Sequence, residues 1–165
     1  MQKSSDNSNL PSKLALRRHF LDRYHADNPP RVLDCCHGAG ILWAEMRRTH
    51  SIASVLGLDT SPRTPGTVRM DSVRFLRSAD LSGFDVIDID TYGAPWRQWL
   101  TLLERPVRER TVFLTAGATP VASCAPVEIW EPIGISGELR RHVEKIKSLH
   151  FRLLKLAQPA LLQAS

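Results

Sequence analysis

Asp34, Asp59, Asp71, Asp88 and Asp90 fall at or near the ends of short apolar runs, and the turn Gly38-Ala39-Gly40 follows the first of them. Carboxylates placed this way can accept hydrogen bonds from hydroxyls or amines, and glycines let a ligand approach the backbone closely. The segment Arg31-Val-Leu-Asp-Cys-Cys-His-Gly-Ala-Gly40 reads as a buried strand, an acid at its end and a glycine turn into a helix. That order marks the nucleotide-facing corner of a Rossmann-like α/β domain. Asp59 closes the next apolar run about 20 residues after Gly40, the spacing at which an acid holds the hydroxyls of a ribose.

Trp43 stands where a dinucleotide fold places its third glycine, which argues against NAD or FAD and against a nicotinamide-dependent oxidoreductase. Asp34 points the same way. A carboxylate just before the turn repels a diphosphate but suits a cationic amino-acid moiety. Cys35-Cys36-His37 offers thiols and an imidazole beside the turn. Adjacent cysteines cannot easily present both thiolates to one tetrahedral ion, so no metal centre is expected, and these residues are expected to fill space beneath the turn. Proton transfer is a secondary reading for His37. Asp88 and Asp90 share one face of a strand by alternation, and two carboxylates there need partners or water. Asp88 is expected to hydrogen-bond local backbone in a structural role.

Val32-Leu-Asp-Cys-Cys-His-Gly-Ala-Gly40 resembles the first motif of class I S-adenosylmethionine-dependent methyltransferases, and Val55-Leu-Gly-Leu-Asp59 resembles their second. Met70-Asp71-Ser72 is similar to the third. The resemblance covers roughly the first half of the chain. It implies S-adenosyl-L-methionine as cofactor, with Asp34, Gly38 and Gly40 at the methionine part, Asp59 on the ribose and Asp71 near the adenine. Asp85-Val-Ile-Asp-Ile-Asp-Thr-Tyr-Gly-Ala-Pro95 resembles the fourth motif of the tRNA guanine-N2 dimethyltransferase family, with Thr91 in place of that family's proline. This implies Asp90 and Tyr92 as catalytic residues. Asp90 would accept the hydrogens of an exocyclic amine and aim its lone pair at the methyl, and Tyr92 would stack on a flipped or unpaired base.

The elements that must position these residues alternate. Ser12 is read as the cap of a helix to about His25, in which Leu14, Phe20, Leu21 and Tyr24 share a face with one cation, Arg17. Strands are expected at Arg31 to Asp34, Ser54 to Leu58, Thr67 to Met70, Phe84 to Asp90 and Arg110 to Leu114. Helices are expected from Gly40 to His50, Ser72 to Arg77 and Pro95 to Glu104. The fold class is therefore α/β: a Rossmann-like three-layer sandwich with a mostly parallel central sheet, truncated at its C-terminal hairpin. Val127 to Trp130 is read as one more short strand, and Ser136 to Ala157 as a long helix with an apolar stripe that could mediate self-association. Residues 1–11 are read as a disordered tail and 12–165 as one domain.

The chain has 165 residues, 42% hydrophobic and 24% charged, with a net charge of +5. That is ordinary globular usage with a modest basic excess, compatible with an RNA or DNA partner. Three cysteines, two of them adjacent, do not form a disulfide framework. No apolar run is long enough to span a bilayer, and no secretion signal is visible, so a cytoplasmic protein without membrane contact is expected. The expected function is methyl transfer to an amino nitrogen of a nucleobase. The second reading is a non-catalytic methyltransferase-like module that binds cofactor or a protein partner, because no clear closing hairpin or target-recognition segment follows the fifth strand.

Overall fold

The computed structural model of the chain describes residues 9–92, 95–106 and 109–115. They fall into two units, Met1–Asp90 with Glu109–Phe113, and Thr91–Arg108 with Leu114–Ser165. The elements are α1 (Leu10–Tyr24), β1 (Arg31–Asp34), α2 (Ile41–Arg47), β2 (Ser54–Asp59), β3 (Val68–Arg69), α3 (Ser72–Ser78), β4 (Val86–Asp90), α4 (Trp96–Leu103) and β5 (Thr111–Thr115). The C-terminal strand and helix expected from the sequence lie outside the described residues.

The strands form one parallel sheet in the order β3-β2-β1-β4-β5. From β1 the chain winds outward through β2 to β3, then returns and lays β4 against the other edge of β1. The reversal leaves a topological switch point between β1 and β4, at whose carboxyl end open α/β sheets form their ligand crevice. Register puts Val32 opposite Val55 and Asp34 opposite Gly57 on one side of β1. On the other side Val32 faces Val86 and Asp34 faces Asp88. Asp34 and Asp90 end the two strands that flank the switch point, and Asp59 ends β2 on the other side of β1.

Leu21 of α1, Trp43 and Met46 of α2, Val32, Val86 and Phe113 form one buried cluster on a face of the sheet. Leu33, Ile87 and Ile89 alternate to the opposite face and are also buried. Burial on both faces explains why β4 reads as a nearly continuous apolar run interrupted only by its acids.

Helix α1 starts earlier than its expected cap. Ser12 lies inside the helix, and the N-cap is Asn9, in a left-handed conformation with no side-chain capping bond. Pro11 explains the shift, since proline suits the first turn, where its missing N–H costs nothing. Helix α2 is shorter than expected and ends at Arg47. The other described boundaries fall within two residues of the sequence reading.

Candidate functional site

The glycine turn is tied to both neighbouring strands. Cys35 N donates to the carbonyl of Asp88 at 2.9 Å, and His37 N to that of Leu58 at 2.8 Å. Gly38 and Gly40 have φ of 55° and 70°, a region that L side chains rarely adopt. Gly38 N donates to Asp59 Oδ2 at 2.9 Å, and Ser61 N to Asp59 Oδ1 at 2.7 Å. The acid ending β2 thus clamps the turn leaving β1. Each of its oxygens keeps a further lone pair, and its side chain is only half-buried. Among the described residues, no atom beyond its chain neighbours lies within 4 Å of where a Cβ on Gly38 would sit, so the turn is open to them on that side.

Gly40 and Gly57 face a ring instead of open space. A Cβ on Gly40 would fall 2.5 Å from His37 Nε2, and one on Gly57 would fall 2.4 Å from His37 Cγ. The imidazole therefore occupies a slot between the cap of α2 and the interior of β2. Asp34, 5% exposed, holds the ring through His37 Nδ1 at 2.9 Å and also accepts from Cys36 N at 3.2 Å. Both oxygens of Asp34 are thus engaged by the turn itself. The hydrogen bond to Asp34 raises the His37 pKa, and burial works against it. Asp59 also favours the imidazolium, whereas Arg47 opposes it. The thiol of Cys36 is pushed up to about 12 by burial and then by Asp34, so it stays protonated at neutral pH. Cys35 is likewise raised by burial.

Asp88 and Asp90 find their partners on α1. Asp88 is wholly buried and accepts from Arg17 Nε at 2.8 Å, Arg17 Nη2 at 2.6 Å and Trp43 Nε1 at 2.9 Å. The expected structural role takes this form in place of local backbone bonds. Burial pushes the Asp88 carboxyl up to about 6, against the pull of Arg17. Lys13 Nζ meets Asp90 Oδ1 at 2.9 Å and Oδ2 at 2.7 Å. The pitch of the two elements makes this possible. Residues four apart on a helix rise about 6 Å, and residues two apart on a strand roughly 6.6 Å. Lys13 and Arg17 therefore match Asp90 and Asp88 rung for rung.

The remaining candidates are positioned by local structure. Asp71 caps α3 by accepting from Arg74 N at 2.9 Å and is exposed. Tyr92 is 82% exposed. Thr91, next to Asp90 in the chain, has a buried hydroxyl without a hydrogen-bond partner among the described residues, which is unusual for a buried polar group. Among the described residues no group of His, Cys, Asp or Glu side chains is arranged to hold a metal ion.

The fold brings Asp34, Gly38, Gly40 and Asp59 together around one turn, with Asp88 and Asp90 on the adjoining strand. Sequence reasoning missed Lys13 as a partner of Asp90 and Gly57 as a wall of the His37 slot. Two signals pointed to them. Arg17 interrupts an apolar stripe with Lys13 one turn before it, and a glycine inside a strand often marks a close approach. No family profile matches the chain, and no curated protein is similar to it.

Proposed function

We propose that the chain is an S-adenosylmethionine-dependent methyltransferase acting on an amino nitrogen of a nucleobase in RNA or DNA. The observation that carries this reading is the clamp of Gly38 N, in the turn leaving β1, by Asp59 at the end of β2, with the turn open beside Gly38 among the described residues. When bound, this cofactor supplies an electrophilic methyl group on a sulfonium. The open backbone at Gly38 admits a ligand closely, and the free lone pairs of Asp59 accept from vicinal hydroxyls. Asp34 contributes indirectly, by fixing the turn and His37. Asp71 offers its second oxygen at the start of α3. Asp90 accepts N–H bonds from the acceptor amine and so orients its lone pair, an entropic contribution to rate. The exposed ring of Tyr92 offers a plane on which a base can stack.

Thermal melts test the donor. Ligand at about 100 times its dissociation constant adds about 2.7 kcal/mol of stability. S-adenosylmethionine should raise the melting temperature, NAD should not, and Asp59→Ala should abolish the rise. No rise at millimolar ligand refutes the reading.

A second reading, a binding module that transfers nothing, is favoured by two contacts. The His37 ring fills the slot between Gly40 and Gly57, and Lys13 occupies both oxygens of Asp90. Labelled methyl transfer to mixed RNA and DNA, with Asp90→Ala as control, separates the two. Cofactor binding without transfer to any polymer or small-molecule pool supports the module.

A further inference from the structure

The amine on Asp90 is the chain's own. Lys13 Nζ bridges both carboxylate oxygens, and the two side chains are 16% and 17% exposed, so the pair is open to one side. Arg17 fixes it from behind, donating from Nη1 to the Lys13 carbonyl at 3.1 Å while its other nitrogens hold Asp88. Lys13 cannot slide along β4 without breaking a buried pair.

The choice of residue is informative. The chain draws most of its cations from arginine, and lysine stands at only five positions, Lys13 among them. An arginine makes the better structural clamp on a carboxylate, and Asp88 has one. A lysine differs in that it can lose its proton and become a nucleophile. Lys13 lies on the acid proposed above to orient an amine, at the end of the strand beside the glycine turn.

We propose that Lys13 Nζ is itself a methyl acceptor, modified in cis. The inference rests on the methyl-donor reading of the same site. The Lys13 ammonium first gives a proton to Asp90 or to water. The freed nitrogen lone pair then forms a bond to the methyl carbon. The carbon–sulfur bond breaks, its electrons stay on sulfur, and a neutral thioether leaves. The methylated amine remains able to carry a positive charge, so Lys13 can return to Asp90 and α1 stays docked.

Full-length protein incubated with methyl-labelled S-adenosylmethionine and mapped by peptide mass spectrometry tests this directly. The peptide containing Lys13 should carry the label. Lys13→Arg should not carry it, and Asp90→Asn should lower it about a hundredfold, the low end of general-base effects. A second readout needs no transfer. S-adenosylhomocysteine, which cannot donate a methyl, should protect Lys13 from acetic anhydride by covering Nζ. A cofactor-induced rise in melting temperature without label on Lys13, or acylation unaffected by S-adenosylhomocysteine, overturns the inference alone. No rise in melting temperature with either compound overturns the donor reading and this inference with it. Should either variant fail to fold, the wild-type peptide map and the acylation comparison still decide the question.

Discussion

Replacing Arg17 with methionine removes the only cation hydrogen-bonded to a wholly buried carboxylate among the described residues. Asp88 would keep the indole of Trp43 and lose both charge-assisted bonds from the guanidinium. Breaking a buried pair from one side costs about 3–5 kcal/mol, a large part of the roughly 5–15 kcal/mol that holds a domain folded. At this chain length each kcal/mol is worth about 2–4 °C, so Arg17→Met should lower the melting temperature by roughly 6–20 °C. Adding Asp88→Asn removes the stranded charge and keeps an acceptor for the indole, so the double variant should recover most of the loss. The pH dependence has a definite sign. Burial raises the folded-state pKa of Asp88 from 3.8 to about 6, so the folded protein binds that proton more tightly than the unfolded chain. The contribution of this group to stability is therefore greatest below pH 3.8 and is lost as pH rises through about 6. Without Arg17 the window moves to higher pH, so the deficit of Arg17→Met should shrink on acidification. Thermal melts of the three proteins across this range measure both effects. A single variant within about 1 kcal/mol of wild type, or a double variant no better than the single, refutes the argument.

Gly57→Ala should cost about 1–3 kcal/mol in urea unfolding, because the added Cβ meets the His37 ring. Adding His37→Ala should relieve most of that cost, and simple additivity of the two would refute the slot. The His37 pKa is raised above 6.5 by Asp34, so this pair contributes stability that is fully present below 6.5 and is lost as pH rises through the folded value. Proton NMR titration of His37 should show the raised value, and Asp34→Asn should lower it. Asp59→Ala, which frees Gly38 N and Ser61 N, should destabilise the apo protein by about 1–3 kcal/mol as well as abolish the cofactor shift. Cys36, pushed up to about 12, should react slowly with iodoacetamide at neutral pH in the folded protein, and fast alkylation would contradict its burial.

Local signals sufficed for most of the elements. An apolar run and the turn after it marked β1 to its first and last residue, and the start of α3 at Ser72 was also read correctly. They fail at the start of α1, where Ser12 looks like a cap and Pro11 moves the boundary forward. The glycine turn and Asp59 were legible because their spacing is set by one strand–helix–strand unit. The occupant of the slot was not, because Gly57 reaches His37 only through the β1–β2 register.

By itself the sequence determined a parallel α/β unit and the chain order of its acids and glycines, because apolar period and turn chemistry act over a few residues. It also displayed two anomalies, a cation on the apolar stripe of α1 and two acids on a buried strand. Only the tertiary structure decided that they answer each other. Arg17 and Asp88 are 71 positions apart, and Lys13 and Asp90 are 77 apart. No local rule reaches that far. The pairing follows from α1 lying along β4 with nearly equal pitch, and from the cost of leaving either buried charge alone.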